Sequence, residues 1–205
     1  MSTSGPLTLE DIADQRAYER ERDEFRRQVI EVKKRRRIAV GPVVTLLFEN
    51  RMTIRFQVQE MARVERMATD RQIQHELDVY NQLLPTNGEL SATLFVEMTD
   101  DAAMRQWLPR LVGIEQSCVL RIGEAPDAVS VTSVPETEHE AALTRDDVTS
   151  AVHYVRFPLG AAHADALVAG PAVLAIDHPA YPEGLPGTLL GDATRAELAA
   201  DLVGE

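Results

Sequence analysis

Between residues 36 and 63 the chain places Arg36, Arg37, Glu49, Arg51, Gln57, Gln59, Glu60 and Arg63. Planar guanidiniums beside carboxamides suit a carboxylate or a phosphate, which they grip through parallel hydrogen bonds. On a helix over 51–68, Gln59 and Arg63 share a face and Glu60 neighbours Arg63. These side chains are the candidates for a ligand or partner site. The same residues also make an ion-pair network that ties the helix to its neighbours, and the sequence leaves both readings open.

Metal chemistry is the second possibility. His75, His139, His153, His163 and His178 could supply imidazole beside the many carboxylates. His153 falls inside an expected strand, and His178 follows Asp177 at a strand end. His153, Asp177 and His178 are therefore the metal candidates, since an Asp or a carbonyl would orient either ring. A hydrogen-bonded structural histidine is the competing reading for each. Glu136 and His139 have the Glu-x-x-His spacing of di-iron bundles, but the motif occurs once and such sites need two copies and two further glutamates.

The run KKRRR (33–37) could neutralise phosphates of a nucleic acid. It contains no aromatic residue on which a base could stack, the helix leading into it is charge-balanced and the body of the chain is strongly acidic, which argues against nucleic acid. The single cysteine, Cys118, excludes a disulfide framework and a thiolate metal cage and reads as core. There is no dinucleotide fingerprint, phosphate loop, haem-attachment motif or nucleophile elbow, so the cofactor is unknown.

The elements that must position these residues follow from periodicity. A charged helical arm is expected over 8–36, with Thr8 or Ser4 as cap and Arg/Glu pairs at three- and four-residue offsets. Two β-branched runs around Gly41-Pro42 predict a strand pair, and Asn50 is placed to cap the helix that follows. Met52, Ile54, Phe56 and Val58 alternate as in a strand, whereas Val58, Met61, Val64 and Met67 recur as on a helix. A helix over 51–68 is the preferred reading, with a strand at 52–58 as its rival. A second helix is expected over 70–84. The body, 89–205, alternates strands at 90–98, 117–124, 128–134, 151–159 and 172–178 with short helices at 100–112 and 160–170 and a closing helix after 192. Residues 135–150 read as acidic, partly helical and exposed. The fold class is α+β in a single domain over 1–205: a helical region, with the strand pair and two helices of 37–85, packed on a mostly antiparallel or mixed sheet with short crossover helices.

Charge divides the chain. Residues 1–75 carry 15 Lys and Arg against 12 Asp and Glu, while 76–205 carry 6 against 21, giving the net −12. Either a basic face meets a partner or the two halves neutralise each other within the fold. No secretory signal or membrane-length apolar run is visible, so the expected compartment is the cytoplasm.

The segment KKRRRIAVGPVVTLLFENRMTIRFQVQEMARVER (33–66), with ELDVYNQLLP (76–85), SAVHYVRF (150–157) and DHPAY (177–181), resembles the bacterial domain-of-unknown-function family 3501. That family has no established activity. Its members' association with rubrerythrin-like and iron–sulfur proteins implies a link to oxidative-stress or redox housekeeping. The leading expectation is an accessory protein that binds a protein partner or its own copy through the N-terminal helix and the polar face of 49–63. The alternatives are a metal- or small-anion-binding protein or enzyme, and nucleic-acid binding through 33–37.

Overall fold

The computed structural model describes residues 5–124, 126–136, 148–181 and 185–204. Thr8 and Asp11 cap each other across a 3-10 turn, Leu9–Asp11, and the chain then leaves helical geometry at Ile12. Helix α1, Gln15–Arg36, starts only at Asp14, whose carboxylate accepts from the Ala17 amide. The arm expected as one helix from residue 8 is broken for a tertiary reason. Leu7 and Ile12 are buried against Ile54, Val58, Leu77 and Leu83, and the Gln59 carboxamide holds the Ala13 backbone at both its N–H (3.0 Å) and its C=O (2.9 Å).

Strands β1 (Arg37–Val40) and β2 (Val44–Phe48) form the expected hairpin, and Gly41 takes a φ of +67° at its turn. Asn50 then caps α2 (Arg51–Val64), its side chain accepting from Thr53 N at 3.0 Å. The strand-like alternation of 52–58 comes from two helical stripes offset by two residues. Ile54 and Val58 pack into the cluster beneath α2, while Met52 and Phe56 pack toward α1 beside Tyr18, Phe25 and Val29. Phe25 meets Phe56 edge to face at 5.7 Å. Helix α3 (Asp70–Tyr80) follows, capped by Thr69, and ends in a 3-10 turn, Asn81–Leu83.

Among the described residues the remaining strands build two sheets, both wholly antiparallel. The first has the order β1-β2-β3-β7-β6, with β3 at Glu89–Val96, β6 at Val134–Pro135 and β7 at Val152–Pro158. The second has the order β5-β4-β8-β9, with β4 at Cys118–Ile122, β5 at Val129–Thr132, β8 at Ala172–Ile176 and β9 at Thr188–Leu189. Strand alternation divides the first sheet. Leu46, Leu94, Val155 and Phe157 point to the second sheet and share a core with Leu120, Ile122 and Leu174. Their neighbours Glu49, Thr93, Tyr154 and Arg156 fall on the opposite face, beneath α2 and α3. Short helices are α4 (Asp101–Trp107) and α5 (Ala164–Ala169), and α6 (Asp192–Val203) closes the chain. Leu167, Leu198 and Leu202 add α5 and α6 to the same core.

Strand β9 lies in a Pro- and Gly-rich stretch, 179–191, for which no strand is expected from the sequence. Gly187 explains its approach: a Cβ there would sit 2.4 Å from the Val173 side chain and 2.8 Å from Leu174 O. Most of the acidic stretch expected over 135–150, His139 included, lies outside the described residues. Among the described residues no helix is long and apolar enough to cross a membrane.

Candidate functional site

The polar residues of 49–63 do not converge on one point. Gln59 is buried and spends its amide on Ala13. Glu60 accepts from the Tyr18 hydroxyl at 2.6 Å and from Arg22 Nε and Nη2 at 2.8 Å each. The Arg22 fork holds the Glu60 carboxyl down to about 2 against its partial burial, helped by the Tyr18 hydroxyl. Arg63 donates to Glu19 at 2.7 Å, and Gln57 hydrogen-bonds the Tyr80 phenol. This face of α2 is therefore turned into the seams with α1 and α3.

All five cations of 33–37 also have partners within the fold. Lys33 lies over the Phe56 ring at 5.6 Å, Lys34 pairs with Glu31, and Arg35 donates to Glu197. Arg37 pairs with Glu97 and stacks on Phe95 at 5.0 Å. Arg36, 3% exposed, donates through Nε to Glu197 (2.7 Å) and through Nη1 and Nη2 to Asp201 (2.7 and 3.0 Å). Burial works against the charge on Arg36, but the two carboxylates outweigh it and hold the guanidinium protonated.

The histidine candidates lie apart from these residues. His153 is fully buried on β7, with Nε2 2.8 Å from Thr149 Oγ1 and 3.1 Å from Ser150 O. His178 donates from Nε2 to Val112 O at 3.0 Å and accepts at Nδ1 from the Ala180 amide at 3.1 Å, so both ring nitrogens serve the backbone. The backbone N–H of Asp177 pairs with Ser117 O. Among the described residues no group of three or more His, Cys, Asp or Glu side chains is placed to hold a metal ion.

The fold does gather a different set. A cleft of about 830 Å³ opens where the first turn of α2, the 81–87 connection, β7 and the C-terminal half of α6 meet α1. Arg36 and Arg51, two of the sequence candidates, stand in its wall beside Arg55 and Arg156, which sequence reasoning missed. Asn50, Asn81 and Asn87 add carboxamides, and Phe25, Met52, Leu84 and Pro85 add apolar surface. Glu197 and Asp201 border the cleft on the α6 side. Arg55 follows Arg51 by one helical turn, a spacing legible in the sequence. Arg156 sits on the helix-covered face of β7, readable only once the sheet face is known.

The wall is rigidly held. Arg51 donates to Gly5 O (3.2 Å) and to Asp11 (2.7 Å), and Arg55 donates to Asp11 O (2.7 Å) while lying over the Phe25 ring at 4.8 Å. Arg156 binds Glu89 at 3.1 Å and the carbonyls of Gln82 and Leu84. Behind Asn50, Glu49 is 2% exposed and accepts from the hydroxyls of Thr53 and Thr93, the latter at 2.6 Å. Burial pushes its carboxyl above the ordinary range, against the two hydroxyls and the charges of Lys33 and Arg36.

Comparison with known proteins agrees over nearly the whole chain. The family model described as "Protein of unknown function (DUF3501)" matches residues 6–202. The crystal structure of a novel protein of unknown function from Burkholderia pseudomallei K96243 is 37% identical, with a TM-score of 0.86, over 97% of this chain and 100% of that one. No curated protein matches. The chain belongs to the DUF3501 family of proteins of unknown function.

Proposed function

We propose that this protein is a small-molecule-binding domain and that the cleft between α1, α2 and α6 is its site. One observation carries the reading: a concavity of about 830 Å³ whose wall combines apolar side chains with arginines and carboxamides locked in place by their own partners. Ligand sites have this size, mixed lining and pre-formed character. Ala200 of α6 lines the cleft, so Ala200→Trp would fill it from the side. A thermal-shift screen with small metabolites should find compounds that stabilise the wild type and not Ala200→Trp. A screen in which every stabilising compound acts equally on both would overturn the proposal.

A protein partner is the second reading, and the outer face of α1 favours it, where Arg16, Arg20, Asp23, Arg26 and Arg27 are exposed. A pull-down in which Arg20→Glu with Arg27→Glu keeps every wild-type partner would count against it. The association with oxidative stress rests on the family alone. Cys118 is fully buried, and burial pushes its thiol up to about 12, so it does not serve as an accessible redox group.

A further inference from the structure

Hydrogen-bond supply around the cleft is unbalanced. Its two carboxylates are spent: Glu197 accepts from Arg35 and Arg36, and both oxygens of Asp201 accept from Arg36. Arg36 and Arg156 are likewise committed, to these acids and to Glu89 and two backbone carbonyls. Arg51 and Arg55 are different. Each uses Nε on a backbone carbonyl, and Arg51 uses Nη2 on Asp11. Nη1 of both has no hydrogen-bond acceptor among the described residues, and the approach of Arg55 to Glu21, at 3.8 Å, is beyond hydrogen-bonding range. The wall thus offers spare donors on Arg51 and Arg55 beside carboxylates that are already engaged.

We infer that the cleft takes an amphipathic oxyanion, a carboxylate or phosphate monoester on an apolar body, with the anion on Arg51 and Arg55. The inference rests on the cleft being the ligand site. Both guanidiniums are half-buried, with side chains 19% and 18% exposed, so a charge-assisted bond to them is stronger than one at an open surface. Arg55 is held in place by the Phe25 ring and the Asp11 carbonyl, so little order is lost on binding. The first turn of α2 adds its positive end from the same wall, through Asn50, Arg51 and Met52. Phe25, Met52, Leu84 and Pro85 supply the apolar contact that separates such a ligand from a bare inorganic ion.

The test titrates isotope-labelled full-length protein with benzoate, phenyl phosphate, neutral benzamide and cationic benzylamine, following backbone amides. Benzoate or phenyl phosphate should perturb residues 50–55 and 84–87 and bind about tenfold more tightly than benzamide. Arg51→Gln with Arg55→Gln should remove that preference. Because both arginines also anchor the N-terminal segment, the wild type supplies a second readout. Affinity for the anion should fall with added salt while that for benzamide stays level. Benzamide or benzylamine binding the cleft as tightly as the anions, without salt dependence, would overturn the oxyanion and leave the cleft standing. If no probe of any charge perturbed the cleft, both the ligand class and the binding site would be overturned. Comparing the two anions separates carboxylate from phosphate as the preferred group.

Discussion

Arg36 at the end of α1 and Asp201 near the end of α6 are 165 residues apart in sequence and share two hydrogen bonds, at 2.7 and 3.0 Å. The most basic run of the chain is thereby joined to its acidic C-terminal helix, and Thr194 strengthens the joint by donating to Arg35 O at 2.6 Å. The charge asymmetry between the halves is in this region spent inside the fold. The pair also stands in the cleft wall, so it sets the spacing between α1 and α6 there.

Breaking that pair should be costly because it strands a buried charge. Arg36→Ala or Asp201→Ala is expected to lose about 3–5 kcal/mol, whereas Arg36→Met with Asp201→Leu should lose much less. Urea denaturation of the singles and the double measures this directly. Single losses under about 1 kcal/mol would show the pair to be dispensable.

Glu49 should make stability fall as pH rises. Its folded-state carboxyl is raised by burial, so its contribution is fully present below the unfolded value and is lost as pH climbs through the folded one. Glu49→Gln keeps a neutral acceptor for the hydroxyls of Thr53 and Thr93 and should be at least as stable as wild type at pH 8. Denaturation at pH 5 and pH 8 should show the difference between variant and wild type growing with pH.

Glu60 should act in the opposite sense. Its carboxyl is lowered to about 2 from 4.5, so its contribution is present above pH 4.5 and is lost as pH falls through about 2. Glu60→Gln should flatten the acid limb of the stability profile between those values and leave neutral pH as the region of greatest loss. An unchanged acid limb would mean that the Arg22 fork holds no charge-dependent stability.

Gln59 should prove structural. Removing its amide in Gln59→Ala leaves the Ala13 N–H and C=O without partners, which costs about 1–3 kcal/mol. Hydrogen exchange should accelerate over residues 7–13 before any change in the sheets.

The order of elements was largely legible, because strand alternation, the Gly41-Pro42 turn and the Asn50 cap are local signals. The two sheets and the two stripes of α2 were not. Met52, Ile54, Phe56 and Val58 look like one alternating face until α1 and the cluster beneath α2 claim alternate members. The break at Ile12–Asp14 depends on Gln59, 46 residues away from Ala13. For the cleft, the arginine content of its wall was partly visible in Arg36 and Arg51. The identity of the opposing wall was not, since Glu197 and Asp201 read as ordinary polar positions of a closing helix until Arg36 meets them. His178 looked like a ligand because its ring sits at a strand end, where backbone groups also need partners, and it spends both nitrogens on them.

Ligand binding in the cleft is tested by mapping, through amide chemical shifts, where a compound from the stabilisation screen binds. Perturbations centred on residues 50–55, 84–87 and 197–204 are expected, and they should be lost in Ala200→Trp. Perturbations centred on the outer face of α1 or on the four-stranded sheet, with the cleft residues unmoved, would contradict it.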